Sequence, residues 1–193
     1  MKFNLRHVLI FLAILLLSVG FGFGFDAVAT AVERKNHPRP VELQAEISQN
    51  AKEFGIPEAI LWATVKTSSN FASNVVSEDG RIGLMQISPD CFSFVCTELL
   101  GEDVKDSGLL YDPSTNLRVG SAWLSYLYGR YGVWEHAFLA YVVGTETVDS
   151  WLSDPNNLSA QGQLKKIPNK TAASFAKKVE KAASYYSKLY YEV

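Results

Sequence analysis

The sequence predicts a mainly α-helical domain behind one N-terminal apolar helix. From about residue 41 onward, apolar side chains recur every three or four positions, the spacing of helices that bury one face. Several of these periodic stretches begin at a capping residue followed by proline, which is a helix start signal. No stretch alternates apolar and polar residues convincingly, as a half-buried strand does.

The chain begins with an apolar segment suited to a membrane. Lys2, Arg6 and His7 precede an uncharged run at 8–25, which ends at Asp26. A spanning helix needs about 17–25 such residues, whereas the apolar core of a cleaved signal has about 7–15. We therefore expect a retained anchor whose basic N-terminal flank stays in the cytoplasm, with the rest of the chain outside. The Ala-Val-Ala sequence at 27–29 leaves a cleaved signal, and secretion, as the alternative.

The rest of the chain divides into a linker and a folded domain. Residues 1–31 form the anchor or signal segment, 32–41 the linker and 42–193 the domain. The charged stretch 33–40 (ERKNHPRP) contains two prolines, so we expect that it does not continue a helix.

The apolar spacing and the residues at 55–57 predict the first two helices of the domain. One apolar face carries Leu43, Ile47 and Phe54 before the stop signal Gly55. Pro57 starts the second helix, in which Ser68 lies at the end of the inward-facing stripe. That stripe also contains Ile60, Leu61, Thr64 and Val65.

The later helices have equally clear boundaries. Ser88-Pro89 and Asp112-Pro113 are start signals, and Gly101 and Gly132 are the matching stops. A short buried helix covers 134–141. The last helix begins near Lys170, and its predicted apolar stripe is Thr171, Phe175, Val179, Tyr186 and Leu189.

Two short motifs carry the functional information. Lys66-Thr67-Ser68-Ser69-Asn70-Phe71 is followed after a polar gap by Gly83-Leu84-Met85-Gln86. Together they resemble the active-site signature of the soluble lytic transglycosylase (SLT) family, lysozyme-like enzymes that cleave peptidoglycan. Further similarity covers Leu110-Tyr111-Asp112-Pro113, Asn116-Leu117, Leu124-Ser125-Tyr126-Leu127 and Ala140-Tyr141. The resemblance spans about residues 43–190 and implies a lysozyme-like helical fold.

The resemblance fails at its main chemical group. The family carries its catalytic glutamate where this chain has Ser68. In the family that one carboxylic acid protonates the leaving glycosidic oxygen and then, as carboxylate, accepts a proton from the sugar's own 6-hydroxyl. A serine hydroxyl has no proton to exchange near neutral pH and serves in neither step.

The chain also departs from a second family motif, Ala-Tyr-Asn-Ala-Gly. It reads Ala140-Tyr141-Val142-Val143-Gly144, so the sugar-contacting amide is absent. The third family segment, which usually carries a Glu-Thr pair, reads Asn169-Lys170-Thr171-Ala172. Several polar losses around one cleft are typical of drift away from catalysis.

The resemblance implies that Ser69, Met85, Gln86 and Tyr141 bind substrate. For Met85, core packing is an equal alternative. Glu78 and Glu146 are the acids near the motifs, and each is either a solvated loop charge or a displaced catalytic acid. The four tryptophans either stack on sugars or, as is more usual in a small helical domain, fill the core. For His136 we expect a structural role.

Composition excludes several other functions. A formal net charge of −2 offers no basic face for nucleic acid. Cys91 and Cys96 on one regular helix lie about 8.7 Å apart, beyond the roughly 7 Å limit for a disulfide, so we favour free thiols, with Cys96 in the core. Their spacing matches no metal site, and we expect neither metal nor cofactor.

The sequence therefore favours an inactive or strongly impaired member of the family that binds glycan strands or scaffolds wall proteins. One alternative is an active enzyme that cleaves the MurNAc-GlcNAc bond with Glu146 or Glu78. The other is a protein-interaction module with a vestigial cleft.

Overall fold

The computed structural model describes residues 28–160 and 162–192. The chain divides into two compact units, Met1–Pro38 and Arg39–Val193. No helix among the described residues is long and apolar enough to cross a membrane. The expected anchor at 8–25 lies outside the described residues.

The first unit corrects the prediction for the linker. Residues 28–36 are helical, so the charged stretch 33–36 continues the helix that it was expected to break. The His37 amide still donates to the carbonyl of Glu33, at 2.9 Å. The helix ends there because the residue before a proline, here Pro38, is disfavoured in the α conformation.

The second unit is built from seven helices among the described residues. Three short elements supplement them: a π-helical turn at Val95–Leu99 and 3-10 turns at Ser107–Tyr111 and Pro155–Asn157. Only isolated β-bridges occur in the described part of the chain. The helices are α1 (Val41–Glu53), α2 (Glu58–Ser69), α3 (Pro89–Phe94), α4 (Pro113–Tyr131), α5 (Trp134–Val143), α6 (Thr145–Ser153) and α7 (Lys170–Tyr190).

The predicted helix boundaries are confirmed where a side chain caps the helix. Ser88 accepts a hydrogen bond from the amide of Cys91, and Asp112 accepts one from Thr115. Gly132 ends α4 with a φ of 66°. These contacts satisfy helix-end groups that otherwise lack partners.

The core fixes α2, the helix that ends at the first motif. Trp62, near the middle of α2, is fully buried and stacks on the ring of Tyr186 from α7, with centroids 6.1 Å apart. Helix α7 also packs against α5, and α5 against α4. Since α2 is buried over most of its length, its C-terminal end has a defined position.

The face of α7 differs from the prediction. Thr171 is exposed, and Phe175 and Leu189 are only half-buried. The residues that face the core are Ala172, Ala176, Val179, Ala182, Ala183 and Tyr186. Small alanines let the backbone of α7 approach its neighbours, so the contact face is set by size as well as by hydrophobicity.

Helix α6 has no counterpart in the prediction. It begins directly after Gly144, whose φ of 83° separates it from α5. Val148 is its one fully buried side chain. A nine-residue helix with so narrow an apolar face leaves little periodicity to detect.

Candidate functional site

The site is organised around a tight loop, residues 82–87, that contains the Gly-Leu-Met-Gln motif. Ile82 and Ile87 close the loop by exchanging backbone hydrogen bonds of 2.9 and 3.0 Å. Gly83 lies in the left-handed region, with a φ of 79°, and a Cβ there would meet Nδ2 of Asn116 at 2.2 Å. Glycine is therefore required both by conformation and by close approach.

Asn116 on α4 anchors this loop from below. Its Oδ1 accepts from the amide of Met85 at 2.8 Å, while Nδ2 donates to the carbonyls of Ile82 at 2.8 Å and Leu110 at 2.9 Å. The side chain is fully buried. One side chain thus satisfies three backbone groups, an arrangement that the sequence analysis did not anticipate.

Three of the predicted site residues hold the same loop from its other sides. Ser69 donates to the carbonyl of Leu84 at 2.8 Å, and Tyr141 donates to that of Met85 at 2.7 Å. Nε2 of Gln86 donates to the carbonyls of Val75 and Gly83 at 3.0 and 2.9 Å. The hydroxyl protons of Ser69 and Tyr141 are therefore committed to the fold.

For Met85 the structure favours core packing over sugar contact. The side chain is fully buried. It packs on Gly120 of α4 so closely that a Cβ at that glycine would lie 2.4 Å from the Met85 sulfur.

A cavity of about 130 Å³ opens beside the loop, and we call it the cleft cavity. Of the predicted site residues, Gln86 and Tyr141 line it, whereas Ser68, Ser69, Met85, Glu78 and Glu146 do not. The lining residues are Arg81, Gln86, Ile87, Ser88, Cys91, Trp123, Ala140, Tyr141 and Gly144. None of them carries a carboxylate.

Arg81, which lines the cleft cavity, links its own loop to the end of α5. Its Nη1 and Nη2 donate to the carbonyls of Tyr141 and Val142 at 3.0 and 2.7 Å, at the C-terminal end of α5. A cation there complements the helix dipole and pairs with carbonyls that lack helical partners. Its Nε donates to Asp79 at 2.9 Å. Hydrogen bonds from Ser77 and then Arg81 lower the pKa of Asp79.

The other titratable groups of the cleft cavity stay neutral. Burial raises the pKa of the Cys91 thiol to about 12, although the Arg81 charge opposes the shift. Burial also raises the pKa of Tyr141. Neither Cys91 nor Cys96 is disulfide-bonded. Cys96 is buried in the core, as expected.

Aromatic side chains pack around Trp123, the α4 residue that lines the cavity. Trp123 lines the cavity and stacks on Tyr126, with centroids 5.4 Å apart. Phe94 of α3 contacts both rings edge-on, at 5.7 and 5.8 Å. We call these three residues the aromatic wall. Phe94 is 38% exposed, so the wall has a surface that solvent reaches. Of the four tryptophans, only Trp62 is fully buried.

Ser68 itself lies in the last turn of α2 and is half-buried. Its Oγ is buried and has no hydrogen-bond partner among the described residues. Glu78 and Glu146 are both exposed; Glu78 lies in a turn, whereas Glu146 lies in the first turn of α6 and not in a loop. His136 is buried, and burial lowers its pKa, in keeping with a structural role.

The described residues contain no cluster of three His, Cys, Asp or Glu side chains that could hold a metal ion. The site therefore consists of a cationic side chain, neutral hydrogen-bonding groups and aromatic rings. Such a combination suits binding of a polar, uncharged ring system more readily than acid–base chemistry.

Comparison with known proteins gives this site a family context. The family model "Transglycosylase SLT domain" matches residues 46–163. The soluble lytic murein transglycosylase of Escherichia coli is 28% identical over 135 residues, which cover 68% of this chain and 21% of that protein. The membrane-bound lytic murein transglycosylase C of Yersinia enterocolitica is 30% identical over 86 residues, covering 44% and 24%.

Two solved structures of lytic transglycosylases are similar in fold to this chain. An inactive Glu-to-Gln mutant of the lytic transglycosylase Slt from Pseudomonas aeruginosa superposes with a TM-score of 0.69 at 28% identity, covering 78% of this chain and 25% of that one. The 70 kDa soluble lytic transglycosylase of Escherichia coli gives a TM-score of 0.75 at 23% identity, covering 83% and 26%, and supports the fold. This chain spans only about a quarter or less of these relatives' length. With the family model matched over more than half of its residues, the chain belongs to the transglycosylase SLT domain family.

Proposed function

We propose that this protein binds the glycan strands of peptidoglycan without cleaving them. The observation that carries the proposal is the absence of a carboxylate both at position 68, at the end of α2, and in the lining of the cleft cavity. The substrate class follows from the names of the relatives, which are lytic murein transglycosylases.

The missing acid accounts for the loss of cleavage. Loss of a positioned general acid–base group costs typically 10²- to 10⁴-fold in rate. In the Pseudomonas relative, a mutant with glutamine in place of one glutamate is inactive. Glutamine keeps the size of the side chain but has no acidic proton. Serine is shorter still, and the Ser68 hydroxyl is buried with no hydrogen-bond partner in the part of the chain that the structure describes.

A displaced acid has little support. A general acid must reach the glycosidic oxygen within hydrogen-bonding distance. Glu78 and Glu146 are exposed, and neither lines the cleft cavity. The active enzyme is therefore the second candidate function.

Binding, in contrast, has candidate groups. The aromatic wall offers flat faces to sugar rings, which present C–H groups on their own faces. Gln86 and Arg81 add polar groups at the cavity, and pockets of this kind use a few polar groups to orient a ligand on an apolar surface. We propose Trp123 as the central contact because it belongs to both the wall and the cavity.

For location we propose that the apolar segment 8–25 holds the domain at the outer face of the membrane, close to the wall. The curated relatives include both a soluble and a membrane-bound protein. A wall enzyme bound elsewhere on the domain is a compatible partner.

The test uses full-length protein and purified peptidoglycan. We expect co-sedimentation with the wall and no anhydro-sugar products above a heat-killed control. Trp123→Ala should weaken binding by about tenfold, as loss of a central aromatic anchor does. Trp151→Ala is the matched control, since Trp151 is also half-buried but lies outside the cleft cavity.

Release of anhydro sugars by the wild type would contradict the proposal and favour the displaced-acid alternative. Glu146→Gln and Glu78→Gln would then identify the acid. Equal weakening by Trp123→Ala and Trp151→Ala would remove the cleft from the binding site.

A further inference from the structure

A second concavity lies between the end of α2 and the first turns of α7. It has a volume of about 360 Å³. Its walls contain two lysines, three hydroxyl side chains and one aromatic ring, from Lys170, Lys178, Thr67, Thr171, Ser174 and Phe175. We call it the basic groove.

The charge of the basic groove is not compensated within the described residues. Lys170 and Lys178 are exposed on α7, eight residues apart with Ser174 between them, so all three lie on one face of the helix. Neither ammonium forms a salt bridge in the described part of the chain. No acidic residue lines the groove. This local positive charge stands out on a chain whose formal net charge is −2.

The basic groove is linked to the cleft cavity by one aromatic contact. Phe175 in the groove stacks on Tyr141 in the cavity, with centroids 5.8 Å apart and the planes inclined by 4°. Thr67, on the opposite wall, immediately precedes Ser68. The cavity and the groove are therefore separated by one stacked pair of rings.

We propose that the basic groove binds carboxylate groups carried by the sugar strand that occupies the cleft cavity. This inference rests on the proposed function and adds a substrate preference to it. The lysine ammonium groups attract the carboxylate, the hydroxyls of Thr67, Thr171 and Ser174 offer further hydrogen bonds, and Phe175 provides an apolar face for a sugar ring. The occupant is an acidic sugar strand because the groove adjoins the glycan cleft.

The experiment compares two forms of one strand. Peptidoglycan glycan is freed of its stem peptides by an amidase, which leaves a carboxylate on every second sugar. Half of the preparation is then converted to neutral methylamides. Binding of full-length protein to both is measured at low and high salt.

We expect the wild type to bind the carboxylate form about tenfold more tightly at low salt, a reasonable effect for two partly solvated charge contacts. High salt should reduce the preference. The double variant Lys170→Gln with Lys178→Gln should bind both forms as the wild type binds the neutral one. The control pair, Lys52→Gln with Lys188→Gln, removes the same charge from exposed positions outside the groove.

The outcomes separate this inference from the proposed function. Equal wild-type affinity for the two strands, with dependence on Trp123, overturns the inference and leaves glycan binding in place. Equal effects of the two lysine pairs also overturn it, since the preference would then reflect overall charge. Binding that needs the groove lysines but not Trp123 overturns the cleft proposal and the inference with it, because the strand would then not occupy the cleft cavity. Binding to neither strand overturns both.

Discussion

Replacing Asn116 by alanine tests how the cleft loop is held. The substitution removes three hydrogen bonds from a fully buried side chain: one accepted from the Met85 amide, and two donated to the carbonyls of Ile82 and Leu110. In the described part of the chain, the Met85 amide makes no backbone hydrogen bond outside the helices, so the Asn116 side chain is its partner. The loop therefore loses its anchor from α4.

The magnitude follows from the three groups. An amide left buried without a partner costs about 1–3 kcal/mol, and each lost bond to a carbonyl costs about 1 kcal/mol. The carbonyl of Ile82 keeps its hydrogen bond from the Ile87 amide. The free-energy cost of losing the Asn116 bond to this carbonyl is therefore small. We expect Asn116→Ala to lower the free energy of unfolding by about 3–5 kcal/mol in total. A domain of this size would then melt about 10 °C lower.

The assay is urea unfolding of the wild type and two variants. Asn50→Ala is the matched control, because Asn50 is also buried but makes one local bond, to the carbonyl of Glu46 at 2.8 Å within α1. Alanine also favours the helix, so the control should lose no more than about 1 kcal/mol. If Asn116→Ala is no less stable than Asn50→Ala, the loop does not depend on this anchor and the reasoning is refuted.

Three further predictions concern catalysis, the thiols and the membrane segment. Ser68→Glu alone should give little or no turnover of peptidoglycan. The triple variant Ser68→Glu, Val142→Asn, Val143→Ala should give measurably more, because the second motif has also lost its amide. Equal turnover of the two variants would show that Ser68 is the only lesion. With a pKa of about 12, Cys91 in the native protein should react with iodoacetamide at pH 8 about 10³-fold more slowly than an ordinary thiol, and its rate should rise with pH; fast labelling would show an ionised or exposed thiol. The full-length protein should remain with membranes through a high-salt wash, and a soluble form that begins near Thr30 would instead show a cleaved signal.

Local features of the fold could be predicted from the sequence. The starts of α3 and α4 follow from Ser88-Pro89 and Asp112-Pro113, because a cap and its first helical turn are neighbours in the chain. The core face of α7 could not be predicted as well. Alanine is compatible with either a buried or an exposed position, so large apolar residues such as Leu189 were favoured over Ala176, which the structure buries.

The residues of the candidate site likewise divide into those that the sequence predicts and those that it does not. Gln86 and Tyr141 were identified because they belong to short motifs, and both line the cleft cavity. Asn116 and Arg81 were missed because their partners lie 31 and 60 residues away in the chain. Asn116 stands in the family-like pair Asn116-Leu117, but neither that pair nor the residues around Arg81 indicate which backbone groups these side chains bond.

The cleft cavity is lined without a carboxylate, and this has a consequence for the pH range in which the proposed binding operates. An enzyme that depends on one carboxylic acid is confined to the pH range in which that acid holds its proton. Here burial raises the pKa of Cys91 to about 12 and also raises that of Tyr141, while hydrogen bonds from Ser77 and Arg81 lower the pKa of Asp79. None of these three groups changes its protonation between mildly acidic and mildly alkaline medium. The binding proposed for the cleft cavity should therefore persist through an acidification that would alter the rate of an enzyme with one catalytic carboxylic acid.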